Sequence, residues 1–415
     1  MDRSGGAARA ANRLHQGLRS IDVDSRMLVQ VKTGNDDSVI GNSGKTASTI
    51  ASIRLLVDQL PVMPHWRKLQ GVFAPALLPG NAWRRANRQN ADIIHLHWIT
   101  KAFMGINDIP RLNAPIVWTL HDMWPFTGGC HYDMECGRYI TGCGKCPVLG
   151  SSSPDDLSAQ LLSRKRKAWR ELNLTIACPS KWLADCAQKS ELLHDFRTEV
   201  IPNGIDLDRF RPSPKTEARM ALSINPDKKI VLFGAMSPTD DSRKGFAQLQ
   251  AALQILARKT IDVSLVIFGA PQPDTSPEDI LPTQYTGKLE SDQELAYLYS
   301  AANVFVAPSA QDNLPNTIME ALACGTPCVA FRVGGIPDMI DHKNNGYLAA
   351  PGDSADLARG IDWVLEDTHR WNQLSENARS TAVENYNLAN IAGKYKNLYS
   401  EILGLHGADN PGSKA

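Results

Sequence analysis

The chain has 415 residues, 43% of them hydrophobic, and its formal net charge is zero. A chain of this length can bury more than one core, so we expect two or three domains. No apolar run approaches about 18 residues, so no membrane span is predicted, and residues 1–20 contain no secretory signal. The neutral balance disfavours nucleic acid as a partner. These properties predict a cytoplasmic protein.

The charge is unevenly distributed along the chain. Residues 1–200 hold 25 Lys and Arg against 18 Asp and Glu, so the remainder holds 19 against 26. The densest basic run, Arg164 to Lys167, lies beside Trp169. Basic residues next to Trp suit an anionic membrane surface or a lipid diphosphate acceptor. A solvated helix face has the same pattern, and both interpretations stay open here.

Apolar strands alternate with amphipathic helices throughout, which indicates a doubly wound α/β fold. The strands predicted in the first half are 27–31, 92–98, 116–120, 175–178 and 199–201. Those predicted in the second half are 229–233, 263–268, 284–286, 304–307 and 328–331. Each half is a candidate Rossmann-like domain, with turn residues between them. The predicted divisions are 1–204, 205–386, a final helix in 387–405 and a disordered tail at 406–415.

Two motifs in the first half place candidate ligand-binding groups. Gly5 and Gly6 precede a helix, where backbone N–H groups can approach a phosphate or a sugar closely. His121 follows the strand 116–120, and the carboxyl end of a parallel strand is where ligands bind in open α/β sheets. The plain alternatives are a simple turn and a His that satisfies local backbone groups.

The second half carries more charge chemistry. Arg243 and Lys244 open a helix after the strand 229–233, and two cations there suit a diphosphate. Asp312 follows the strand 304–307, and Glu320 lies on the helix that begins near Asn316. The first N–H groups of that helix attract phosphate, and two carboxylates can bind the hydroxyls of a sugar and a ribose. An ordinary βαβ unit with incidental acids is the alternative.

Four cysteines lie close together in a glycine-rich stretch, namely Cys130, Cys136, Cys143 and Cys146. In a reducing compartment such a group is more typical of metal binding than of disulfides. Four thiolates fit a closed tetrahedral structural zinc site, with His131 as a substitute ligand and an iron–sulfur cluster as a weaker alternative. Free thiols are the remaining interpretation.

The segment from Asp312 to Val329 resembles the nucleotide-sugar motif of the retaining family-4 glycosyltransferases. That motif is a Glu, seven residues, a second Glu, then Ala-x-Ala-x-Gly-x-Pro-x-Val. Asp312 stands at the first Glu, one methylene shorter, and Glu320 at the second; the small residues match at Ala321, Ala323, Gly325, Pro327 and Val329. The resemblance covers nearly the whole chain and includes segments 4–8, 119–122, 200–206, 243–245 and 333–337.

This resemblance implies the GT-B fold, with two Rossmann-like domains facing across a cleft and a last helix that crosses back to the first. It implies a retaining transfer from a nucleotide-diphosphate sugar to a hydroxyl of a glycan or glycolipid acceptor. The expected setting is bacterial exopolysaccharide synthesis of the colanic-acid type, at the inner face of the cytoplasmic membrane. No catalytic divalent metal is expected, because no Asp-x-Asp follows a suitable strand edge.

The resemblance also assigns expected roles. His121 hydrogen-bonds the transferred sugar, Arg243 and Lys244 neutralise the diphosphate, Asp312 contacts the sugar hydroxyls and Glu320 holds the ribose. Gly5 and Gly6 face the donor. Further donor contacts are expected at Gly287, Leu289, Asn313, Leu314, Pro315, Asn316 and Thr317.

The chain departs from the family pattern at two places. Many relatives carry an Arg after the strand's Gly, whereas this chain has Gly234 followed by Ala235. The strand expected before Gly5 is missing, so either the true start lies upstream of Met1, which we favour, or the first domain lacks a central strand. These departures keep open a non-catalytic scaffold that binds sugar nucleotides. An epimerase or phosphorylase is a further rival, although no lysine is marked for pyridoxal phosphate.

Overall fold

The structure is a computed structural model that describes residues 5–234, 241–258, 262–270, 281–289 and 291–405. It contains two compact units, one running up to Pro202 and resuming at Ala389, the other spanning Asn203–Leu388. The tail predicted at 406–415 lies outside the described residues, as does Ala235.

The first unit contains six helices and six strands among its described residues. Its helices are α1 (Gly6–Ser20), α2 (Gly44–Gln59), α3 (Ala82–Asn87), α4 (Leu157–Trp169), α5 (Lys181–Lys189) and α12 (Leu388–Ile402). Its strands are β1 (Met27–Val31), β2 (Val39–Asn42), β3 (Ile94–Leu96), β4 (Ile116–Thr119), β5 (Leu174–Cys178) and β6 (Arg197–Val200). The strands form two separate parallel sheets, β1-β2 and β3-β4-β5-β6.

The described strands of the second unit form one sheet. Its helices are α6 (Lys215–Ala221), α7 (Phe246–Leu256), α8 (Asp292–Ala301), α9 (Asn316–Ala323), α10 (Ser354–Glu366) and α11 (Thr368–Tyr386). Its strands are β7 (Lys229–Gly234), β8 (Val263–Phe268), β9 (Thr283–Gly287), β10 (Val304–Ala307), β11 (Cys328–Phe331) and β12 (Gly346–Ala349). All six strands are parallel, in the order β12-β11-β10-β7-β8-β9.

This strand order creates a topological switch point. From β7 the chain builds the sheet outward through β8 and β9, and from β10 it builds the other side through β11 and β12. The two starting strands are neighbours, with Val306 of β10 opposite Phe233 of β7. Ligands of doubly wound sheets bind in the crevice at such a point, beyond the carboxyl ends of the strands. The loops after β7 and β10 therefore carry the candidate site of this unit.

The central strands form because they are short apolar runs that helices cover on both faces. Every residue of β4, β5, β10 and β11 is buried, as expected for parallel strands inside an α/β layer. The predicted doubly wound α/β class is confirmed. Two strands were missed: β2, which lies in a polar stretch, and β12, which begins at a glycine.

The last helix, α12, packs on the first unit. Ile391, Tyr395 and Leu398 are buried in one cluster with Leu14 and Leu18 of α1. The Tyr395 hydroxyl lies 2.8 Å from the Thr119 hydroxyl at the end of β4. Among the described helices, none is both long and apolar enough to cross a bilayer.

Candidate active site

Two cations and one carboxylate meet at the switch point of the second unit. Lys244 Nζ donates to Asp312 Oδ2 at 2.7 Å, and Arg243 Nη1 lies 3.6 Å from the same oxygen. Arg243 also donates to the Gln311 carbonyl at 2.9 Å and to Asp241 Oδ2 at 3.0 Å. We call Arg243, Lys244 and Asp312 the cation–carboxylate cluster. Its members are 68 and 69 positions apart in the sequence and are joined by the adjacency of β7 and β10.

The electrostatics of the cluster favour an ionised Asp312. Burial alone raises the pKa of this carboxyl, but the charges of Lys244 and Arg243 and the N–H of Asn313 outweigh it, so the pKa of Asp312 lies below its ordinary value. Asp312 is nearly fully buried, whereas the two cations are partly exposed. The cluster therefore holds two partly exposed cations on a fixed anionic base, and Arg243 is paired with Asp241 as well.

Two glycines allow the backbone to hold this cluster. Gly245 has φ +75°, and a Cβ there would lie 1.8 Å from the Pro308 carbonyl oxygen. Gly334 has φ +54°, and its Cβ would lie 1.9 Å from the carbonyl oxygen of Asp312. Neither approach is open to a residue with a side chain, which also rarely adopts positive φ. The loops that carry Lys244 and Asp312 are thus locked by close backbone contacts.

Helix α9 follows the acidic loop directly. Its first residues, Asn316 and Thr317, are preceded by Pro315, and the Asn316 side chain accepts a hydrogen bond from Asn203 at 3.3 Å. Glu320 is buried just over one turn into the helix, and Tyr299 of α8 donates to its Oε2 at 3.0 Å. The structure therefore fixes the orientation of the Glu320 carboxylate through a buried hydroxyl that the sequence reasoning did not consider.

The remaining predicted donor contacts are placed as follows. The N–H of Asn313 donates to Asp312 Oδ1 at 3.0 Å, and Leu314 is buried. Gly287 ends β9 with φ +67°, and its carbonyl accepts from the N–H of Gly269 at 2.8 Å. Leu289 packs against the core of the second unit. The Asn313 N–H, predicted to face the donor, is thus used within the acidic loop itself.

In the first unit, Gly5 precedes α1 with φ +96°, and Gly6 is the first residue of that helix.

Three histidines gather at the carboxyl ends of β3 and β4 and form what we call the histidine cluster, His95, His97 and His121. His97 Nδ1 lies 2.9 Å from His121 Nε2, and the His95 and His97 rings are stacked. Burial lowers the pKa of His121 to about 4 and that of His95 to about 3, and it lowers the pKa of His97 well below the ordinary value. The cluster is therefore uncharged at neutral pH.

Asp122, next to His121, anchors a second set of contacts. Its Oδ2 accepts from Trp98 Nε1 at 2.8 Å and lies 2.6 Å from His131 Nδ1. His97, Trp98, His121 and Asp122 line a small pocket. The sequence reasoning gave no role to His97 or Trp98. His97 and Trp98 follow β3, and His121 follows β4. Because β3 and β4 are parallel neighbours, the carboxyl ends of the two strands meet, and the position of His97 and Trp98 after a strand was the signal in the sequence.

The zinc prediction is not supported. All four cysteines are free thiols, and among the described residues no three His, Cys, Asp or Glu side chains are grouped so that they could hold a metal ion. Burial raises the pKa of each of these thiols, that of Cys143 to about 11, and the Gly128 N–H donates to Cys143 Sγ at 3.2 Å. His131, the suggested substitute ligand, is bound to Asp122. The residues as placed do not fit the metal.

The basic run on α4 is interrupted at its centre by burial, while Arg164, Arg166 and Lys167 are exposed. Lys165 is fully buried, with its Nζ 3.6 Å from the centre of the Trp124 ring. It donates to the carbonyls of Trp124 and, at 2.9 Å, Thr127. Burial lowers the pKa of Lys165 to about 7. Arg166 pairs with Glu191 at 2.8 Å. Lys165 therefore anchors the segment 124–127, which precedes the cysteines, to α4, and the run is not a continuous cationic face.

Comparison with known proteins identifies the family. Residues 4–209 match the family described as Glycosyltransferase Family 4, and residues 227–367 match Glycosyl transferases group 1. The chain is 30% identical over 335 residues to N-acetyl-alpha-D-glucosaminyl L-malate synthase of Bacillus anthracis, covering 77% of each chain. It is 32% identical to D-inositol 3-phosphate glycosyltransferase 2 of Catenulispora acidiphila over 69% of this chain and 65% of that relative.

Two further comparisons bear on setting and fold. The chain is 28% identical to the putative colanic acid biosynthesis glycosyl transferase WcaC of Escherichia coli, over 61% of this chain and 63% of that protein. Its fold is similar to that of Anabaena HepE in complex with UDP-glucose, with a TM-score of 0.63 and 18% identity over 97% of both chains. The chain therefore belongs to the family-4 glycosyltransferases and has their GT-B fold.

Proposed function

We propose that this glycosyltransferase moves a sugar from a nucleotide-diphosphate sugar to a hydroxyl of a glycan or glycolipid, with retention of the anomeric configuration. The observation that carries the proposal is the cation–carboxylate cluster at the switch point of the second unit. The HepE structure, whose fold is similar, was determined with UDP-glucose. The role of each residue follows from the chemistry of the departing nucleotide.

Lys244 and Arg243 stabilise the leaving diphosphate. Negative charge develops on the diphosphate oxygen as the glycosidic bond breaks, and positioned cations lower the free energy of that state most. The guanidinium of Arg243 can bind two phosphate oxygens at once, whereas Lys244 supplies a compact point charge. Asp312 keeps both cations in place before the donor arrives.

The donor's sugar and nucleoside contact the acidic loop and α9. Glu320, oriented by Tyr299, accepts hydrogen bonds from ribose hydroxyls. Asp312 contacts hydroxyls of the transferred sugar, and the N-terminus of α9 favours the negative diphosphate. Attack from the face that the diphosphate leaves would retain configuration without a covalent enzyme intermediate, so neither carboxylate acts as a nucleophile.

The contribution of His121 stays a prediction from the resemblance to the family. Its pKa of about 4 makes the imidazole a neutral hydrogen-bonding group at physiological pH, which suits contact with a sugar hydroxyl. The acceptor class and the setting are part of the same proposal. The likeness to WcaC supports surface polysaccharide synthesis, and a lipid-linked acceptor would place the enzyme at the inner face of the cytoplasmic membrane.

A thermal-shift screen of nucleotide sugars followed by a donor-hydrolysis assay tests the proposal. A bound donor raises the apparent melting temperature by mass action, and a catalyst releases free sugar slowly without an acceptor. Glu320→Gln should weaken donor binding about tenfold or more, since hydrogen bonds to a charged group contribute roughly 1.5–3 kcal/mol. Glu217→Gln is the matched control, because Glu217 accepts from Tyr297 on an exposed surface.

The outcomes separate enzyme from binder. Stabilisation without hydrolysis would favour the non-catalytic alternative, and no stabilisation by any nucleotide sugar would contradict the proposal. Once a donor and an acceptor are found, the anomeric configuration of the product, read by NMR, decides between retention and inversion.

A further inference from the structure

The helix α2 and the turn that follows it expose apolar side chains that a monomeric protein would ordinarily bury. Of the fifteen large apolar side chains exposed in the described part of the chain, eight lie between positions 50 and 72. The segment is therefore exceptional within this molecule. Single exposed apolar residues are normal, but a contiguous patch marks a binding surface.

The patch has helical order. Ile50, Ile53, Leu56 and Leu60 recur at spacings of three and four, which places them on one side of the helix. Leu56 is 69% exposed, and the side continues through the turn to Met63 and to Trp66, which is 73% exposed. We call these six residues the apolar face. It points away from the core, contrary to the usual orientation of a surface helix.

The opposite side of the segment is fixed to the first unit. Asp58 is buried, and its carboxylate accepts from the N–H groups of Leu77 and Leu78 at 2.9 Å and of Ala76 at 3.2 Å. Arg54 donates to the carbonyl of Pro79 at 2.7 Å. The outward orientation of the apolar face is therefore built into the fold.

The exposed charged side chains within residues 44–72 are all positive. Lys45, Arg67 and Lys68 are exposed, and the only acidic residue from 44 to 72 is the buried Asp58. An exposed Trp followed by Arg and Lys at the end of an apolar stripe suits the boundary between lipid headgroups and acyl chains. Anionic headgroups would attract the cations while the stripe enters the apolar layer.

We propose that the apolar face docks this enzyme on an anionic phospholipid bilayer. The inference deepens the proposed function, on whose membrane setting it rests, by naming the surface that binds the membrane. It differs from the basic run on α4, whose central Lys165 is buried. Binding through α2 requires no sugar transfer, so the two proposals can fail separately.

Co-sedimentation of the full chain with vesicles tests the docking. Wild type should sediment with phosphatidylcholine vesicles that contain phosphatidylglycerol, and more weakly with phosphatidylcholine alone. The double variant Leu56→Asp/Trp66→Asp should bind about tenfold more weakly or worse. Each change removes apolar area that the bilayer would bury and adds a negative charge that the anionic headgroups repel. Met220→Asp, which alters an 80% exposed side chain of the second unit, should bind like wild type.

A second variant separates charge from apolar contact. Arg67→Gln/Lys68→Gln should weaken binding to the anionic vesicles and reduce its salt dependence, while binding to phosphatidylcholine alone is unchanged. Thermal melts and donor hydrolysis without vesicles should match wild type for all these variants, since the altered side chains are exposed. If the wild-type protein does not hydrolyse the donor, that result would count against the proposed function and not against the docking proposal.

Three results would overturn the docking proposal. They are no vesicle binding by wild type, equal binding by the Leu56→Asp/Trp66→Asp variant, and a wild-type dimer that this variant converts to a monomer. The last would assign the apolar face to a second copy of the chain.

Discussion

Asp312 receives both cations of the candidate site on one oxygen, with Lys244 Nζ at 2.7 Å and Arg243 Nη1 at 3.6 Å. A buried carboxylate is stable only when it is paired and hydrogen-bonded, and this one also accepts from the Asn313 N–H. The shorter Asp at a position where the family pattern has Glu keeps the carboxylate close to its own backbone. The substitution is therefore compatible with the cluster.

Lys244→Met should lower kcat for the donor identified by thermal shift by about a hundredfold or more, because electrostatic stabilisation of a leaving group contributes on this scale. Initial rates at saturating donor provide the measurement. Lys228→Met is the control, since Lys228 pairs with Asp262 at an exposed edge of the same unit. An unchanged kcat in Lys244→Met would remove this lysine from the mechanism.

Helices and loops determine two features that single residues do not: which face of a helix is buried, and where backbone segments come into close contact. Leu161, Lys165 and Trp169 are buried on α4 at four-residue spacing, so helix periodicity selects one cation of the basic run for the interior. The loops of the second unit are held by Gly245 and Gly334, where only glycine fits.

Gly334→Ala should destabilise the protein by about 2 kcal/mol or more, because positive φ costs an alanine about 1 kcal/mol or more and the new Cβ collides with backbone. Donor binding should fall as well, since Gly334 packs on the Asp312 carbonyl. Gly393→Ala in α12 is the control, as nothing lies within 4 Å of a Cβ there. It should be neutral or slightly stabilising, and chemical denaturation followed by circular dichroism compares the two.

At the scale of the whole molecule, the histidine cluster joins distant parts of the first unit. His95 Nδ1 lies 2.6 Å from the Tyr399 hydroxyl of α12, and its Nε2 lies 2.7 Å from the Thr119 hydroxyl of β4. Since desolvation holds these half-buried imidazoles neutral, protonation works against the folded state. Acid is therefore expected to loosen the first unit, including the contact that α12 makes with it.

The free energy of unfolding should fall as pH drops from 6.5 toward 4. The folded pKa of His121 is about 4, below its ordinary value of 6.5, so the unfolded chain binds more protons in this window and stability rises with pH across it. This imidazole alone should cost about 3 kcal/mol by pH 4. Denaturant unfolding followed by Trp fluorescence measures it, because seven of the nine Trp residues lie before Pro202.

His97→Asn should flatten this pH dependence by removing one neutral imidazole and its contact with His121. His194→Asn serves as the control, because His194 is half exposed and lies outside the histidine cluster. Equal slopes in the wild type and in His97→Asn would show that the acid sensitivity arises elsewhere.

The sequence by itself determined the local order of this protein. Apolar runs located β1, β8, β10 and β11 at the bounds observed, and the motif around Asp312 and Glu320 identified the family. These features can be predicted from the sequence because hydrophobic periodicity and helix starts depend on residues close together in the chain. The weakly patterned β2 and β12 gave no comparable signal.

Only the tertiary structure decided which groups meet and which faces are covered. The adjacency of β7 and β10 brings Lys244 to Asp312, and the pairing of β3 with β4 brings His97 to His121. Packing buries the side chain of Lys165 and leaves that of Leu56 exposed. Each outcome depends on strand pairing and contacts between residues far apart in sequence, and no local pattern of hydrophobicity specifies those.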